Sequence, residues 1–310
     1  MNKSAPLVLS ISLALAGCTV GPNYQRPQLE LPANIETAPV AASTAPTAGQ
    51  AWWRVYQDAK LDSLIDEALA HNTDVQIAAS RVIEAEAQLG LSRSDQQPTA
   101  YLSAERRRSR ISESLSTFQS DIPSASTGNR VALNVSYEID FWGRYRRATE
   151  AARADLGAVE ANRATLGLVL ANRVAQGYIN LIALDAEWAA TTQGVARAKD
   201  AYALHQKRLA AGVISTFEFG QREAEYQAAQ ALLPPIEKAR AQQERALLTL
   251  LGRSPKAVLG DKIVRSDIPV TPSALPGDIP SELLLNRPDV REAEQKLIAT
   301  NARIGVARAA

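Results

Sequence analysis

The hydrophobic pattern changes its period along the chain. Leu61, Leu64, Ile65, Ala68 and Leu69 fall at helical spacing and predict a short amphipathic helix. A second helix is expected from Thr73 to about Ser94, stopped by Pro98. The period then drops to two. Val131, Leu133, Val135, Tyr137, Ile139 and Phe141 alternate with Ala132, Asn134, Ser136, Glu138 and Asp140, which predicts a strand with one apolar and one polar face. Its length, about ten residues, suits a tilted transmembrane β-strand. In that setting Val131, Leu133, Val135, Tyr137, Ile139 and Phe141 face the membrane, while Asn134, Ser136, Glu138 and Asp140 face a lumen. A weaker partner strand lies around Thr99 to Arg106, and Tyr137, Phe141, Trp142 and Tyr145 gather where an aromatic girdle would sit. Taken alone, the same pattern also fits a half-buried hairpin in a soluble domain.

From Arg144 the helical signal returns and continues for about 65 residues. Positions 170, 174, 177, 181, 184, 188, 191, 195, 198, 202, 205 and 209 step by fours and threes, a heptad-type seam with weak spots at Gly177, Thr191 and His205. Such a helix is roughly 100 Å long at 1.5 Å per residue, so it must pack along its length on neighbours. Gly212 suits a helix C′ position and Ser215 or Thr216 an N-cap, which predicts a turn and a return helix to about Leu251. Pro234-Pro235 should kink or break that helix.

The last segment repeats an earlier one. Set against Asn286–Ala309 at an offset of 215, His71–Ser94 is identical at seven of 24 positions, Gly90 meeting Gly305 among them. Both follow a connector and a short Leu-rich helix. A true duplication predicts a second strand pair and hairpin after Ala310, so the second repeat is read as truncated.

Composition narrows the function. A net charge of +1 gives no reason to propose nucleic acid as a partner. The two histidines, His71 and His205, lack ligand spacing, and no phosphate-binding loop or nucleophile elbow is present. No catalytic residue, metal site or soluble cofactor is therefore assigned. Arg106, Arg107, Arg108 and Arg110 form a basic run after the first strand, read as an exposed loop facing lipopolysaccharide phosphates.

The single cysteine has a different role. A positive start, an apolar stretch from Ala5 to Ala14 and Leu15-Ala16-Gly17-Cys18 together form a secretory signal ending in a lipobox. Cys18 is thus expected to carry covalent lipid, palmitate included, and to become the mature N-terminus. Residues 26–51 are rich in Pro, Ala and Thr without hydrophobic period, an extended tether.

Four stretches resemble the lipoprotein branch of the TolC-like outer-membrane efflux proteins. They are Gly17-Cys18-Thr19-Val20-Gly21-Pro22-Asn23-Tyr24 with Pro27; Tyr137-Glu138-Ile139-Asp140-Phe141-Trp142-Gly143-Arg144; the tip residues Arg208, Gly212, Val213, Ser215 and Glu218; and Pro280-Ser281-Glu282-Leu283-Leu284 with Arg287-Pro288-Asp289-Val290-Arg291. The resemblance implies a mostly α fold: a long coiled-coil-like helical hairpin with a two-stranded transmembrane β segment, together an α-barrel/β-barrel subunit. It divides the chain into a signal peptide (1–17), a lipid-anchored tether (18–51), opening helices (52–98), a strand pair (99–143), a periplasmic hairpin (144–255), a connector (256–280) and a second-repeat start (281–310). It implies a homotrimeric, non-enzymatic export conduit for drugs or other small molecules in the outer membrane of a Gram-negative bacterium. An inner-membrane transporter and a periplasmic adaptor meeting residues 208–218 would be its partners. Three chains of two strands give six, below the eight of the smallest usual barrels, so a fragment of a longer chain is expected and a hexamer of single hairpins is the sharper alternative. A lipid-anchored periplasmic scaffold without channel activity is the alternative from another class.

Overall fold

The computed structural model describes residues 19–28, 34–36, 51–112, 114, 121, 123–266 and 278–310. Cys18 and the signal segment lie outside these. The chain divides into two compact units: Met1–Pro27, Glu84–Gly157 and Glu294–Ala310 form one, and Gln28–Ile83 with Ala158–Ala293 the other.

The second unit owns the apolar core. Helix α1 (Ala59–His71) starts where the Asp58 carboxylate accepts the backbone N–H groups of Lys60 and Leu61, at 2.8 and 3.2 Å. It buries Leu61, Leu64, Ile65 and Ala68, four of the five residues whose spacing predicted it, and leaves Leu69 half-buried. Asn72 ends α1 and opens α2 (Thr73–Ser94): its side-chain amide donates to the Leu250 carbonyl, and its oxygen accepts from Asp74 N. The core is completed by Leu170, Val174, Tyr178 and Leu181 of α3 (Arg144–Ala210), by Leu247 and Leu248 of α5 (Leu233–Leu250), and by Leu251 and Ile263. Tyr178 is buried, donating to Asp58 at 2.9 Å and accepting from Ser266 N at 3.0 Å. Burial first, and the bond to Asp58 after it, push its hydroxyl pKa up to about 12.

Helix α3 runs 67 residues. All twelve predicted seam positions are buried or half-buried, fully so at 170, 174, 177 and 181. Gly177 is not a weak spot. A Cβ there would lie 2.9 Å from Leu247 Cδ1 and 3.0 Å from Gln243 Nε2, so glycine is what lets α5 approach this closely. The return helix is broken as expected: α4 (Thr216–Ala231) ends before Leu232, and Pro234 and Pro235 sit in the first turn of α5, where no backbone donor is needed.

Three regions differ from the sequence reading. The connector 256–280 is not featureless: α6 (Pro255–Gly260) is capped by Ser254, and strand β4 (Asp278–Pro280) pairs antiparallel with strand β1 (Asn34–Glu36) inside the expected tether. Three-residue strands held by backbone bonds carry too little side-chain period to be read. The hairpin is shifted. Strand β2 spans Thr99–Arg110 and β3 spans Ala125–Ser136, paired from Thr99↔Ser136 to Arg110↔Ala125. Tyr137, Glu138, Ile139, Asp140 and Phe141 therefore lie beyond the strand, because β2 begins only after Pro98 and offers them no ladder partner. Finally, Arg106–Arg110 form strand rather than loop.

The repeat has a structural counterpart. Helix α7 (Pro288–Ala309) has 22 residues, as α2 does, and begins 215 positions after it; the 3-10 turn Ser281–Asn286 ends 215 positions after α1.

Candidate functional site: a membrane hairpin, its foot and a helical tip

The β2–β3 register separates two faces. Ala100, Leu102 and Ala104 stand opposite Val135, Leu133 and Val131 on one; Thr99, Tyr101 and Ser103 stand opposite Ser136, Asn134 and Ala132 on the other. Leu102, Val131, Leu133 and Val135 are all between 63% and 75% exposed. A two-stranded ladder with this much apolar surface cannot hold itself together in water. In lipid its open edges need further strands, because nothing else satisfies their backbone groups. The polar face is knit across strands: Ser103 Oγ donates to the Ala132 carbonyl at 3.2 Å, and the Ser109 and Ser126 hydroxyls lie 2.9 Å apart.

Glu138 and Asp140, expected on the lumen face of the strand, instead secure the foot of the hairpin. Glu138 accepts from Arg144 at 2.8 Å and from the Tyr145 hydroxyl at 2.6 Å, with the Arg144 guanidinium over the Tyr145 ring. Asp140 accepts from Arg146 N at 3.0 Å, an anion at the positive end of α3. These bonds start the helix and hold residues 137–141 out of the ladder. The expected lumen residues Asn134 and Ser136 remain in the strand on the polar face, as do Val131, Leu133 and Val135 on the apolar one.

The segment after Cys18 is bound rather than free. Val20 N donates to the Trp142 carbonyl at 3.1 Å. Arg147, its side chain only 5% exposed, donates to Asn23 at 2.6 Å and to Glu150 at 2.7 Å. Asn301 donates to the Pro22 carbonyl at 2.9 Å, and Tyr24 and Arg26 both donate to Glu294. Gly21, at φ +107°, lies so close to Gly305 that a Cβ would come within 2.6 Å of its Cα. No hydrophobic period marks this strap, because backbone and polar side chains hold it.

At the far end of α3 the predicted tip residues come together. Gly212, at φ +69°, donates to the Leu209 carbonyl, and Val213 N to the Arg208 carbonyl, each at 2.9 Å. This pair of bonds is a Schellman closure. Ser215 and Glu218 then form a reciprocal capping box: Glu218 N donates to Ser215 Oγ at 3.2 Å, and Ser215 N to Glu218 at 3.0 Å. Gly212, Ser215 and Glu218 thus build the turn. What the turn presents outward is Val213, 71% exposed, and Phe217, 74% exposed. Phe217 escaped the sequence reading because it follows no period; an aromatic in the first turn of a capped helix was the available signal. Behind it, Tyr202 packs on Phe219 and Tyr226, with ring centroids 5.4 Å apart in each pair.

One chain thus carries an amphipathic β-hairpin and a long helical hairpin, the combination found in outer-membrane channel proteins. The family model "Outer membrane efflux protein" matches residues 64–253, more than half of the chain, and the chain belongs to that family. It is 33% identical to the cation efflux system protein CusC of Escherichia coli O6:H1, over 100% of this chain and 66% of that protein. It is 30% identical to the probable outer membrane lipoprotein SilC of Salmonella typhimurium, again over 100% and 66%. Its fold matches the Campylobacter jejuni CmeC outer membrane channel at a TM-score of 0.82 and 25% identity, over 94% of this chain and 62% of that one. The chain thus spans a little under two thirds of the proteins it matches. The family is one of outer-membrane channels rather than enzymes, which places the chain in the outer membrane.

Proposed function

We propose that the chain is part of a passive export-channel subunit. The β2–β3 hairpin contributes to a shared β-barrel in the outer membrane, and α3 with α4–α5 to the wall of a periplasmic conduit. Closure requires other chains, three in the homotrimer expected for this family. The observation that carries the reading is the split hairpin, apolar and exposed on one face, polar on the other. Val213 and Phe217 offer an apolar knob to a periplasmic adaptor, and an inner-membrane transporter supplies the energy, since no residue here is assigned to catalysis. Cys18 carries lipid. Thr19 packs on Gly143 and Val20 bonds Trp142, so an acyl chain on Cys18 enters the leaflet nearest the foot of the hairpin. The names of relatives point to different cargo, cations for CusC among them, and the cargo is taken only as small solutes.

Single cysteines placed at 131 to 136 and treated in outer membranes with a water-soluble maleimide test this reading. Labelling at 132, 134 and 136 with protection at 131, 133 and 135 is expected. Uniform labelling would leave a lipid-anchored periplasmic scaffold as the better account.

A further inference from the structure

The apolar face of the paired ladder is short for a membrane. From Val131 to Val135 it rises four steps, roughly 13 Å along the strand and roughly 9 Å of height at a tilt of about 45°. The apolar band of an outer-membrane barrel is about 25 Å tall. The missing height cannot lie distally, because beyond Ala104 this face turns to Arg106, Arg108 and Arg110. It lies at the foot. Val131 to Phe141 is ten steps, at most roughly 33 Å of chain and roughly 23 Å of height at the same tilt.

The foot carries the surface that such a position needs. Tyr137, Ile139, Phe141 and Trp142 are between 54% and 63% exposed. Glu138 and Asp140, set among them, are drawn to Arg144, Tyr145 and Arg146 at the start of α3. Tyrosine and tryptophan settle at the headgroup level, ring toward the acyl chains and polar atom toward water. Backbone outside a ladder enters the edge of a membrane only where its polar groups have partners. Here the Ile139 carbonyl accepts from Phe141 N at 3.0 Å, the Asp140 carbonyl from Arg146 at 3.2 Å and the Trp142 carbonyl from Val20 N at 3.1 Å. The last of these donors is two residues from Cys18. The strap thus delivers the lipid attachment point to the same place.

We propose that Phe141 and Trp142, with Tyr137 and Ile139 above them, form the lower membrane anchor of the chain. It is a wedge without strand pairing that enters the periplasmic, phospholipid leaflet of the outer membrane beside the lipid on Cys18. The proposal rests on the reading that the hairpin spans this membrane with Val131, Leu133 and Val135 in lipid. It adds that the lipid-facing surface continues past the end of the ladder at Ser136.

The unsubstituted chain, purified from outer membranes, is placed in vesicles of phosphatidylethanolamine and phosphatidylglycerol. These carry a trace of phospholipid bearing a photoactivated diazirine either beside the headgroup or at the end of an acyl chain. Trypsin releases Val131–Arg144 as one peptide holding both ladder and foot, and mass spectrometry places the adducts along it. The headgroup probe is expected to modify Phe141 and Trp142 at least about threefold more than the acyl-end probe does, and the acyl-end probe to favour Val135. Adducts at 131–135 with none at 137–142 would overturn the wedge and leave the membrane hairpin standing. Equal modification of Phe141 and Trp142 by both probes would deny them the headgroup level and overturn the wedge too. Foot adducts without ladder adducts would sink the spanning hairpin and the wedge's place beneath it, and a peptide untouched by either probe would sink both.

Discussion

Helices α2 and α7 have the same length and the same sequence pattern, and they bury opposite faces. Helix α2 buries Ala78, Val82 and Leu89. Their counterparts 215 residues on, Ala293, Leu297 and Ile304, are exposed on α7, Leu297 to 49% and Ile304 to 42%. Helix α7 instead buries Ala299, Ala302 and Gly305, whose counterparts Glu84, Ala87 and Gly90 are exposed on α2. The two glycines show it most sharply. A Cβ on Gly90 meets nothing within 4 Å, whereas one on Gly305 lies 2.9 Å from both Arg147 Cγ and the Val20 carbonyl oxygen. Each copy therefore carries two adhesive faces and uses one of them within the chain. The face that α7 uses is the one against α3 and the strap; α2 leaves the same face exposed.

The largest effect is expected where the two copies differ most. Gly305→Leu forces a side chain into Arg147 and Val20 and should cost about 3 kcal/mol, seen as a lower guanidinium midpoint in detergent; Gly90→Leu enters open space and removes glycine's helix penalty, so it should hold or slightly raise that midpoint. A similar cost at both positions would break the comparison. Next, Leu89→Ala empties a buried site and should cost about 2–3 kcal/mol, while its counterpart Ile304→Ala should cost under about 1 kcal/mol in the isolated chain. Glu294→Gln removes the charge that holds Tyr24 and Arg26. An ion pair exposed on its arginine side contributes little to global stability, so the sharper readout is faster proteolysis after Arg26 with the unfolding midpoint unchanged.

What the sequence made legible follows from what leaves a period. The seam of α3 and the apolar stripe of α1 repeat every three or four residues, and both were placed to within a turn. The tip was legible for a different reason: Gly212, Ser215 and Glu218 are the residue types that a Schellman closure and a capping box demand. The strap over α7 was not, because Asn23, Tyr24 and Arg26 bind through individual polar contacts. The end of β3 was misplaced because alternation continues through Phe141 although pairing stops at Ser136. A pattern records which side a residue faces, not whether a partner strand stands beside it. The opposite faces of α2 and α7 were hidden for a related reason: a helix apolar on two sides does not say which side is covered first.

The smallest effect expected carries the most information about assembly. Gly90→Ala introduces a methyl group into open space in the middle of an exposed helical turn. Alanine loses less backbone freedom on folding than glycine, so the isolated chain should gain about 0.5–1 kcal/mol. In a closed assembly the same methyl group stands on a face that in α7 admits no Cβ at all. If a neighbouring protomer approaches α2 as closely as α3 and the strap approach α7, Gly90→Ala should stabilise the dissociated chain and weaken the oligomer. The two quantities are read separately, by denaturant midpoint in dissociating detergent and by the fraction of oligomer that survives a semi-denaturing gel. Gain in the first with loss in the second would show that the open face of α2 is a contact surface packed to glycine tolerance. Gain in both would mean that the duplicated helix keeps its second face as an inheritance that assembly no longer uses.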